Sequence, residues 1–440
     1  MAASPLPVIR HFLLAHWRWR FLRGERLERF QTRRAESIIA HARHHAPFYR
    51  AHLAGHDLRD WRQMPTIDKQ TMMAHFDTFN TQGVRRAEAM GVALRAEQQR
   101  DFAPTVKGLT VGLSSGTSGH RGLFLVSPLE QAAWAGTILA RTIHHLPRKP
   151  LRVAFFLRSN SNLYEQVGGR LLHFRYFDLM QPLADSVAAL NHLRPDILVG
   201  PPSLLGFLAE ALRRGELQAR PSRLISVAEV LEPQDKARLE SVFEVPVHQI
   251  YQCTEGLLAV SCAAGSLHIQ EDIVALQAEP LPGGEGRVTP IVTDLWRQIQ
   301  PIIRYRLNDV LQLETEPCAC GSPYRVIHAI EGRCDDICYF ETRAGEARPF
   351  FPDTLRRMVL LASQEISEYQ LVQERQGHLC IHLEVAPHTP FDDIARAVQQ
   401  SVAATLEGYD CRPATLIVEQ GLLHVPSGAK RRRVQRVGPG

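Results

Sequence analysis

The sequence predicts an α/β protein with a large N-terminal domain of mixed sheets and flanking helices, followed by a small α+β C-terminal domain. Between residues 151 and 253, short apolar runs alternate with amphipathic stretches, which is the pattern of parallel βα units. Between residues 266 and 313, apolar and polar residues alternate as in antiparallel strands. The composition shifts near Gly332, so we expect domains at 1–332 and 333–440.

Length and composition fit a globular chain. The 440 residues are 45% apolar and 22% charged, and the net charge of +5 is too mild for a dedicated nucleic-acid binder. Eight scattered cysteines indicate free thiols or a metal site in a reducing compartment rather than a secreted disulfide scaffold. No window approaches 18 apolar residues and the N-terminus lacks the apolar region of a signal peptide, so we expect a cytoplasmic protein without a membrane span.

The first fifty residues have a helical pattern. It runs from Ile9 to about Leu53 and is rich in arginine. A solvated basic face is the simplest interpretation, with a membrane or RNA contact as the alternative. Short helices and loops are expected from residue 65 to 107.

Residues 113–127, LSSGTSGHRGLFLVS, form the most distinctive stretch of the chain. Glycines let a backbone approach a ligand closely, and hydroxyl and N–H groups supply donors to phosphate oxygens. No Gly-Lys-Ser/Thr completes a Walker loop, and a Gly/Ser hairpin turn is an equally good interpretation of the stretch alone. The candidate anion-binding residues are Ser114, Ser115, Gly116, Thr117, Ser118 and Gly119.

Two of the predicted parallel strands end in polar residues. Ala228 and Glu229 follow the strand RLIS, and YQCTE at 251–255 follows VHQI. Because ligands of parallel sheets bind where the strands end, both segments are candidate site residues.

Charged residues also interrupt an apolar strand near residue 305. Arg304, Arg306 and Asp309 lie on this strand and its exit. A charge at such a position needs a partner, and both a buried ion pair and a bound nucleotide are open. Further on, EGRCDD at 331–336 marks the expected domain boundary, and a basic tail, SGAKRRR, carries Lys430.

The joint occurrence of these segments is far more specific than any one of them. The chain resembles the adenylate-forming ligase superfamily, most closely the branch of phenylacetate-CoA ligases, CapK-like proteins and synthetases that adenylate a deazaflavin coenzyme. The resemblance covers most of the chain, through HARHHAPFYR, AEVLEP, YQCTEG, LHIQEDI, PIIRYRLND, CACGSP, EGRCDD and FFPDTLRRMV. It implies that a carboxylate attacks the α-phosphate of ATP, and that a nucleophile, commonly coenzyme A, then takes the acyl group.

The resemblance also implies roles around ATP. The loop at 114–119 would hold the β- and γ-phosphates, and Thr254 would donate to the α-phosphate. Glu255 would bind Mg²⁺, a hard cation that carboxylates and phosphates serve well. The residues placed beside the adenine would be Ala228, Glu229 and Tyr251.

Four later residues complete the implied site. Asp309 would accept hydrogen bonds from the ribose hydroxyls, with Arg333 assisting. Lys430 would supply positive charge near the α-phosphate as the acyl–phosphate bond forms. Asp335 stands at the hinge about which the small domain of this superfamily is thought to rotate.

Two departures from the family pattern matter. The phosphate loop reads GTSGHRG where relatives usually carry a lysine, so either His120 or Arg121 supplies the positive charge or the charge is absent. The tail keeps a lysine but follows it with three arginines, and Arg431 is the alternative to Lys430.

A zinc site is implied by the element CACG. Relatives with CxCG can bind zinc with a cysteine and a histidine from an earlier segment. The matching residues are Cys262, His268, Cys318 and Cys320, a Cys₃His set typical of structural zinc. Buried free thiols are the alternative.

The leading hypothesis is therefore an ATP- and Mg²⁺-dependent ligase of a small carboxylic acid, aryl by resemblance to the branch, that transfers the acyl group to coenzyme A. One alternative keeps adenylation and changes the acceptor to a carrier protein, an amine or a hydroxyl. A second alternative is a non-catalytic nucleotide-binding protein, against which Glu255, Asp309 and Lys430 argue jointly. A homodimer is left open.

Overall fold

The computed structural model describes residues 6–101, 103–114, 121–143, 149–157, 172–424 and 432–437. The chain divides into two compact units. The first comprises Met1–Ala278, Ile291–Leu307 and Leu313–His328, and the second comprises Glu279–Pro290, Asn308–Gln312 and Ala329–Gly440. The second unit therefore contains two segments that precede the domain boundary expected near Gly332. The single boundary at that position stays a prediction.

The first unit opens with helices, as the sequence predicts. Asp68 caps one of them, since its Oδ1 accepts the backbone N–H of Thr71 at 2.7 Å. Pro47 occupies the first turn of another, where a missing N–H has no cost. The helices are α1 (Leu6–Phe21), α2 (Gly24–His45), α3 (Pro47–His52), α4 (Lys69–Ala74), α5 (Phe76–Phe79) and α6 (Arg86–Gln99), with a 3-10 turn at Leu58–Gln63.

A small antiparallel sheet follows. Its strands are β1 (Thr105–Val106), β2 (Leu109–Leu113) and β3 (Leu123–Val126), in the order β1-β2-β3. The Gly/Ser stretch therefore connects two paired strands. Helix α7 (Pro128–Thr142) comes next, and a capping box begins it: Ser127 Oγ accepts from the Glu130 N–H, and the Glu130 carboxylate accepts from the Ser127 N–H at 2.8 Å.

Parallel strands form the next part of the first unit and confirm the predicted βα units. They lie in the order β5-β4-β6-β7-β8, and each neighbouring pair is parallel. Leu205, Leu208 and Leu212 of one connecting helix recur at helical spacing and are buried in the core. The elements are β4 (Leu151–Leu157), β5 (Leu172–Asp178), α8 (Leu183–Leu193), β6 (Ile197–Gly200), α9 (Pro202–Arg213), β7 (Arg223–Ser226), α10 (Pro233–Phe243) and β8 (Val247–Cys253).

Antiparallel strands follow, as the alternation predicts. β9 pairs with β8 and β10, and β15 pairs with β10. The chain passes between the two units within β11, β12, β14 and β15. The strands are β9 (Gly256–Ser261), β10 (Leu267–Ile269), β11 (Val274–Pro280), β12 (Arg287–Asp294), β13 (Tyr305–Arg306), β14 (Asp309–Leu313) and β15 (Val326–Arg333).

The second unit contains a four-stranded sheet in the order β20-β19-β18-β21 with an α+β arrangement. Leu371, Ile381 and Leu383 share a core with residues of both helices, so the helices cover one face of this sheet. The elements are β16 (Cys338–Glu341), β17 (Ala347–Phe350), α11 (Pro352–Leu360), β18 (Ile366–Arg375), β19 (His378–Val385), α12 (Phe391–Gly408), β20 (Thr415–Gln420) and β21 (Val434–Arg436).

Among the described residues, the helices are either too short or too polar to cross a lipid bilayer.

A fully buried carboxylate attaches the first helix to the rest of the first unit. Asp272 is 0% exposed and forms ion pairs with Arg18 of α1 at 3.1 Å and with Arg141 of α7 at 2.9 Å. Arg141 also donates to the carbonyl of Ala15 in α1 at 2.7 Å and to the side chain of Gln270 at 2.6 Å. Two buried guanidinium groups therefore depend on one carboxylate for their counter-charge.

A second buried carboxylate organises the loop after β12. Asp294 is 4% exposed, and its Oδ1 accepts the backbone N–H groups of Trp296 at 2.7 Å and Arg297 at 2.9 Å. Burial raises the pKa of Asp294 to about 6, although the charge of Arg297 and these hydrogen bonds oppose the shift. The carboxylate thus fixes the backbone that carries the Arg297 side chain.

We expect Asp272→Asn to lower the free energy of unfolding by about 3–5 kcal/mol, because two buried arginines lose their counter-charge. Urea unfolding followed by tryptophan fluorescence measures this, since Arg18 and Arg141 lie over the rings of Trp296 and Trp19. Glu25→Gln, which removes an exposed pair with Arg29, is the matched control and should change stability by less than about 0.5 kcal/mol. Equal effects of the two substitutions would contradict the assigned importance of Asp272.

The raised pKa of Asp294 predicts a pH dependence of stability. Between its ordinary pKa of 3.8 and about 6, the folded state binds the proton and the unfolded state does not, so the free energy of unfolding falls as pH rises through this window. The total effect is about 3 kcal/mol, at about 1.4 kcal/mol per pH unit.

Asp294→Asn should remove this component, so the stability of the variant relative to wild type should increase from pH 4 to pH 7. Urea unfolding at several pH values measures the difference, with Asp57→Asn at an exposed position as control. Parallel pH profiles for wild type and Asp294→Asn would contradict the prediction.

Candidate functional site

Ser114 closes the base of the predicted phosphate loop. Its N–H donates to the carbonyl of Gly122 at 2.8 Å, and its Oγ accepts the N–H of Gly122 at 2.7 Å. The remaining predicted loop residues, Ser115 to Gly119, and His120 lie outside the described residues. Ser114 therefore holds the two ends of the loop together, through its backbone N–H and its side-chain oxygen.

Arg121, one of two residues expected to replace the missing lysine, also stabilises the base of the loop. Its guanidinium forms a two-pronged ion pair with Glu97 of α6, with Nη1 2.7 Å from Oε2, and its Nε donates to the carbonyl of Ser114 at 3.2 Å. Its charge is therefore balanced by a carboxylate, and it acts as an anchor of the loop.

A lysine far away in sequence reaches the same place. A β-carbon built on Gly122 would lie 3.2 Å from Cε of Lys69, in the first turn of α4, and 3.4 Å from Oγ of Ser114. Sequence reasoning missed Lys69, since it precedes the loop by about 50 residues and no local motif links the two.

The Ala228–Glu229 segment lies at the carboxyl end of β7 in a strained turn. Ala228 has φ of +69°, and the N–H of Glu229 donates to the carbonyl of Val227 at 2.9 Å, which defines a γ-turn. Such backbone strain is concentrated at functional sites. The Glu229 side chain accepts the N–H of Ser203 at 3.2 Å and so caps α9. Because the side chain is used in this way, the backbone of the turn is the part of this segment that a ligand at the sheet edge would contact.

The Thr254–Glu255 turn follows the adjacent parallel strand, β8, at the same edge of the sheet. Thr254 Oγ1 donates to Glu255 Oε2 at 2.9 Å, and Glu255 is 7% exposed. Burial, together with the charge and hydrogen bond of Glu255, raises the pKa of Tyr305. A buried carboxylate with two hydroxyl partners keeps lone pairs for a cation, so the donor set fits a hard dication such as Mg²⁺.

A β-bulge adjusts the direction of this segment. Tyr251 of β8 pairs with Ala259 of β9, but Gln252 pairs with Leu257, so one residue of β9 is extra. Bulges re-aim side chains and occur beside active sites. Here the bulge separates Tyr251, half-buried on β8, from the Thr254–Glu255 turn.

Arg297 joins this turn to the small sheet. Its Nη1 donates to the carbonyl of Thr254 at 2.5 Å, and its Nη2 donates to the carbonyl of Leu125 in β3 at 3.3 Å. Gln300 adds a second link to β3, since its side chain accepts from the Leu125 N–H at 2.8 Å and donates to the Leu123 carbonyl at 3.1 Å. The strand that leaves the phosphate loop is therefore tied to the Thr254–Glu255 turn, by residues that sequence reasoning missed.

In the second unit, Asp309, Arg333 and Asp335 lie around one turn. The N–H of Cys334 donates to the carbonyl of Asn308 at 3.0 Å, and the Asn308 side chain donates to Asp335 Oδ2 at 2.5 Å. Burial and the charges of Asp309 and Asp335 raise the pKa of the Cys334 thiol. The structure thus brings these three predicted residues together.

The basic tail is partly committed to ion pairs. Arg432 forms an ion pair with the buried carboxylate of Asp336. Arg433 donates two hydrogen bonds to the Glu368 carboxylate, from Nε at 2.5 Å and from Nη2 at 2.9 Å. Lys430 and Arg431 lie outside the described residues. Two of the tail arginines therefore anchor β21, and the candidate catalytic cations remain the two expected ones.

The four predicted zinc ligands come together in the first unit. Cys262 Sγ lies 3.8 Å from Cys318 Sγ, Cys320 Sγ lies 3.3 Å from His268 Nε2, and all four ligand atoms lie within 4.8 Å of one another. His268 Nδ1 is 2.8 Å from the carbonyl of Tyr324, which directs Nε2 toward the sulfurs. Cys318 and Cys320 each accept a backbone N–H from two residues downstream at 3.4 Å. The donor set and its orientation fit a tetrahedral zinc ion.

Comparisons with known proteins support one family. The chain is 25% identical over 393 residues to a phenylacetate-coenzyme A ligase of Thermus thermophilus, covering 83% of each chain. It superimposes on crystal structures of 2-hydroxyisobutyryl-CoA ligase, with a TM-score of 0.70 and 19% identity for the complex with its adenylate, covering 93% of this chain and 89% of the other. An open form of that ligase with the adenylate and CoA has a TM-score of 0.59 at 19% identity, covering 93% and 91%.

An acyl acid amido synthetase also shares the fold, with a TM-score of 0.56 and 12% identity over 94% of this chain and 92% of the other. No protein-family model matches the chain. The Thermus thermophilus enzyme is a ligase of the branch that the sequence motifs resemble, and the crystal structures share the fold of this chain. The chain is therefore similar in sequence to a phenylacetate-coenzyme A ligase and shares the fold of adenylate-forming CoA ligases.

Proposed function

We propose that the protein is an ATP-dependent carboxylic acid ligase. A carboxylate oxygen attacks the α-phosphorus and pyrophosphate leaves, and the thiol sulfur of coenzyme A then attacks the acyl carbon and AMP leaves. The observation that carries the proposal is the Thr254–Glu255 turn, a buried carboxylate and a hydroxyl at a parallel-sheet edge that Arg297 ties to the base of the phosphate loop. An aryl acid is the preferred substrate class, by resemblance to the branch.

Glu255 would hold Mg²⁺, and Mg²⁺ would neutralise the phosphate oxygens during adenylation. The Thr254 hydroxyl, which donates to Glu255 here, would donate to the α-phosphate when ATP is bound. Tyr251 would lie against the adenine, and the strained backbone at Ala228 and Glu229 would contact it from the neighbouring strand end. This arrangement uses the sheet edge at which ligands of such folds bind.

Asp309 would bind the ribose hydroxyls, because a carboxylate can accept from both. Arg333 would assist it, and Asp335 would act as the hinge of the C-terminal domain. The hydrogen bonds around Cys334 support this proposal, because they hold the three residues in one turn. Coenzyme A is the proposed acceptor, and a carrier-protein thiol or an amine is the alternative, which the shared fold of an amido synthetase favours.

Lys69 would supply the positive charge that the phosphate loop lacks. It lies at the base of the loop beside Gly122. An ammonium is a compact point charge that suits the β- and γ-phosphates. Lys430 would act later, where charge crowds between the α-phosphate and the acyl oxygen.

A zinc ion held by Cys262, His268, Cys318 and Cys320 would be structural. Four protein ligands fill a tetrahedral ion and leave no position for water. Cys262 directly follows β9 and His268 lies on β10, so the ion would hold the β9–β10 turn against the loop that contains Cys318. It would thereby support the strand that begins immediately after Glu255.

Acid-dependent ATP–pyrophosphate exchange tests the function. We expect one class in a panel of aryl, hydroxyaryl, amino and fatty acids to support exchange, and Lys430→Ala to reduce it about 10²- to 10³-fold while ATP binding persists. Lys236→Ala, on the surface of α10, is the matched control, and Arg431→Ala tests the alternative cation. No exchange with any acid, in protein that binds ATP, would contradict the proposed function, and normal exchange in Lys430→Ala would contradict the lysine.

Lys69→Ala should weaken ATP binding by about 10- to 100-fold, because a charge-assisted contact worth about 1.5–3 kcal/mol is lost. Binding of AMP, which lacks the β- and γ-phosphates, should be unchanged. Isothermal titration calorimetry with both nucleotides measures the effect. Lys107→Ala, a lysine bound to the carbonyls of Gln82 and Gly83, is the control. Equal loss of ATP and AMP binding would assign Lys69 a purely structural role.

Purified protein should retain about one tightly bound zinc ion per chain, and Cys318→Ser should lose it and unfold at a lower temperature. Elemental mass spectrometry and thermal denaturation measure the two effects. Cys411→Ala removes a buried thiol in the second unit and should leave the tight zinc in place. Absence of zinc from protein produced with ample zinc would contradict the site.

A further inference from the structure

A second group of metal-binding side chains lies on the sheet of the second unit. Cys380 and His382 stand two residues apart on β19, so their side chains share one face of the sheet. Glu419 of β20 is the register partner of His382. The residues that alternate with them, including Leu379 and Ile381, point into the core, so the group occupies the face away from the helices.

The three side chains are close enough to bind one ion. Cys380 Sγ lies 3.3 Å from His382 Nε2, His382 Nδ1 lies 3.4 Å from Glu419 Oε2, and one ligand atom from each residue lies within 4.8 Å of the others. Zinc bonds of about 2.0–2.3 Å at tetrahedral angles place ligand atoms about 3.3–3.7 Å apart. The sulfur–nitrogen pair is close to this spacing, whereas Glu419 contacts the other ring nitrogen and would join the ion by turning toward Nε2.

The surroundings favour a cation. The carboxylates of Glu419 and Glu374 both act electrostatically on Cys380, so the patch is negative. The Glu419 side chain is 55% exposed whereas His382 is 10% exposed, so the group is open to solvent on one side. Cys380 and His382 lie on β19, which is paired with a strand on each side, and the exposed Glu419 side chain is the ligand that would adjust to the ion.

We propose that Cys380, His382 and Glu419 form a second metal site that binds one Zn²⁺ ion with water at the fourth position. A thiolate, an imidazole and a carboxylate are all ligands that zinc accepts, and three protein ligands with an open position distinguish this site from the closed Cys₃His set. The bound ion links β19 to β20, which is an edge strand of the four-stranded sheet. It therefore stabilises the attachment of that edge.

The alternative chemistry for the same three residues is a reactive thiol. The order Cys380, His382, Glu419 is that of a nucleophile, a base and an orienting carboxylate. The metal site is preferred because Cys380 Sγ and His382 Nε2, at 3.3 Å, lie close to the spacing of two ligands on one zinc ion. The two possibilities differ in what protects the thiol: a bound ion blocks alkylation, whereas a nucleophile activated by His382 reacts regardless of zinc.

Equilibrium dialysis of the full-length protein against buffered Zn²⁺, with metal counted by mass spectrometry, tests the site. Wild type should bind a second, exchangeable zinc ion beyond the tight one, and that ion should slow alkylation of Cys380 by iodoacetamide. Cys380→Ser and His382→Ala should each weaken the second ion at least 10-fold. Glu419→Gln, at an exposed position that cannot disturb the core, should weaken it less.

His378→Ala is the matched control, since His378 lies on the same strand and the same face two residues before Cys380 and should not change zinc binding. Circular dichroism and ATP–pyrophosphate exchange at wild-type levels confirm that each variant is folded. Wild-type zinc binding in both Cys380→Ser and His382→Ala would overturn the proposal. A single zinc ion in wild type, or alkylation that depends on His382 but not on zinc, would do the same.

Discussion

The guanidinium of Arg297 is the contact on which the geometry of the first unit's site depends. It donates to the carbonyl of Thr254, in the turn that follows β8 of the large sheet, and to the carbonyl of Leu125, in β3 of the small sheet. The Asp294 carboxylate fixes the backbone from which Arg297 extends. Burial of this carboxylate is costly, as its raised pKa shows, and two backbone hydrogen bonds offset only part of that cost. The function of the buried Asp294 carboxylate is therefore to hold the backbone of Arg297 in place.

Three arginines near the predicted site are each paired with a carboxylate. Arg121, Arg432 and Arg433 each face a carboxylate, and each holds a backbone segment that leads to or from a predicted ligand-binding residue. Planar guanidinium groups suit this role because two parallel hydrogen bonds fix their orientation. Lysines suit transient contact with phosphate, since an ammonium is a point charge on a flexible stem. This difference is the reason that Lys69 and Lys430, and not the neighbouring arginines, are proposed to contact ATP.

The sequence predicted the fold class because its periodicities reflect burial on one or two faces of each element. The parallel units from β4 to β8 and the helices at the N-terminus are confirmed, and the similarity to a phenylacetate-coenzyme A ligase supports the ligase interpretation of the motifs YQCTEG and EGRCDD. Arg297 and Lys69 were not predictable, because each acts on a segment about 40 to 170 residues away. Pairing over such distances depends on strand register and helix orientation, which local patterns do not encode.

The two cysteine–histidine groups also show which ligand sets a local sequence pattern can reveal. Cys318 and Cys320 stood out because CxCG is a local element, whereas Cys380 and His382 form a Cys-x-His whose third ligand comes from an adjacent strand. A two-residue spacing brings ligands together on a strand but not on a helix, so its meaning depends on the secondary structure. β9 illustrates why a remote ion can matter for chemistry. It begins directly after Glu255 and ends directly before Cys262, so an ion that fixes one end of this strand restrains the register of the carboxylate at the other.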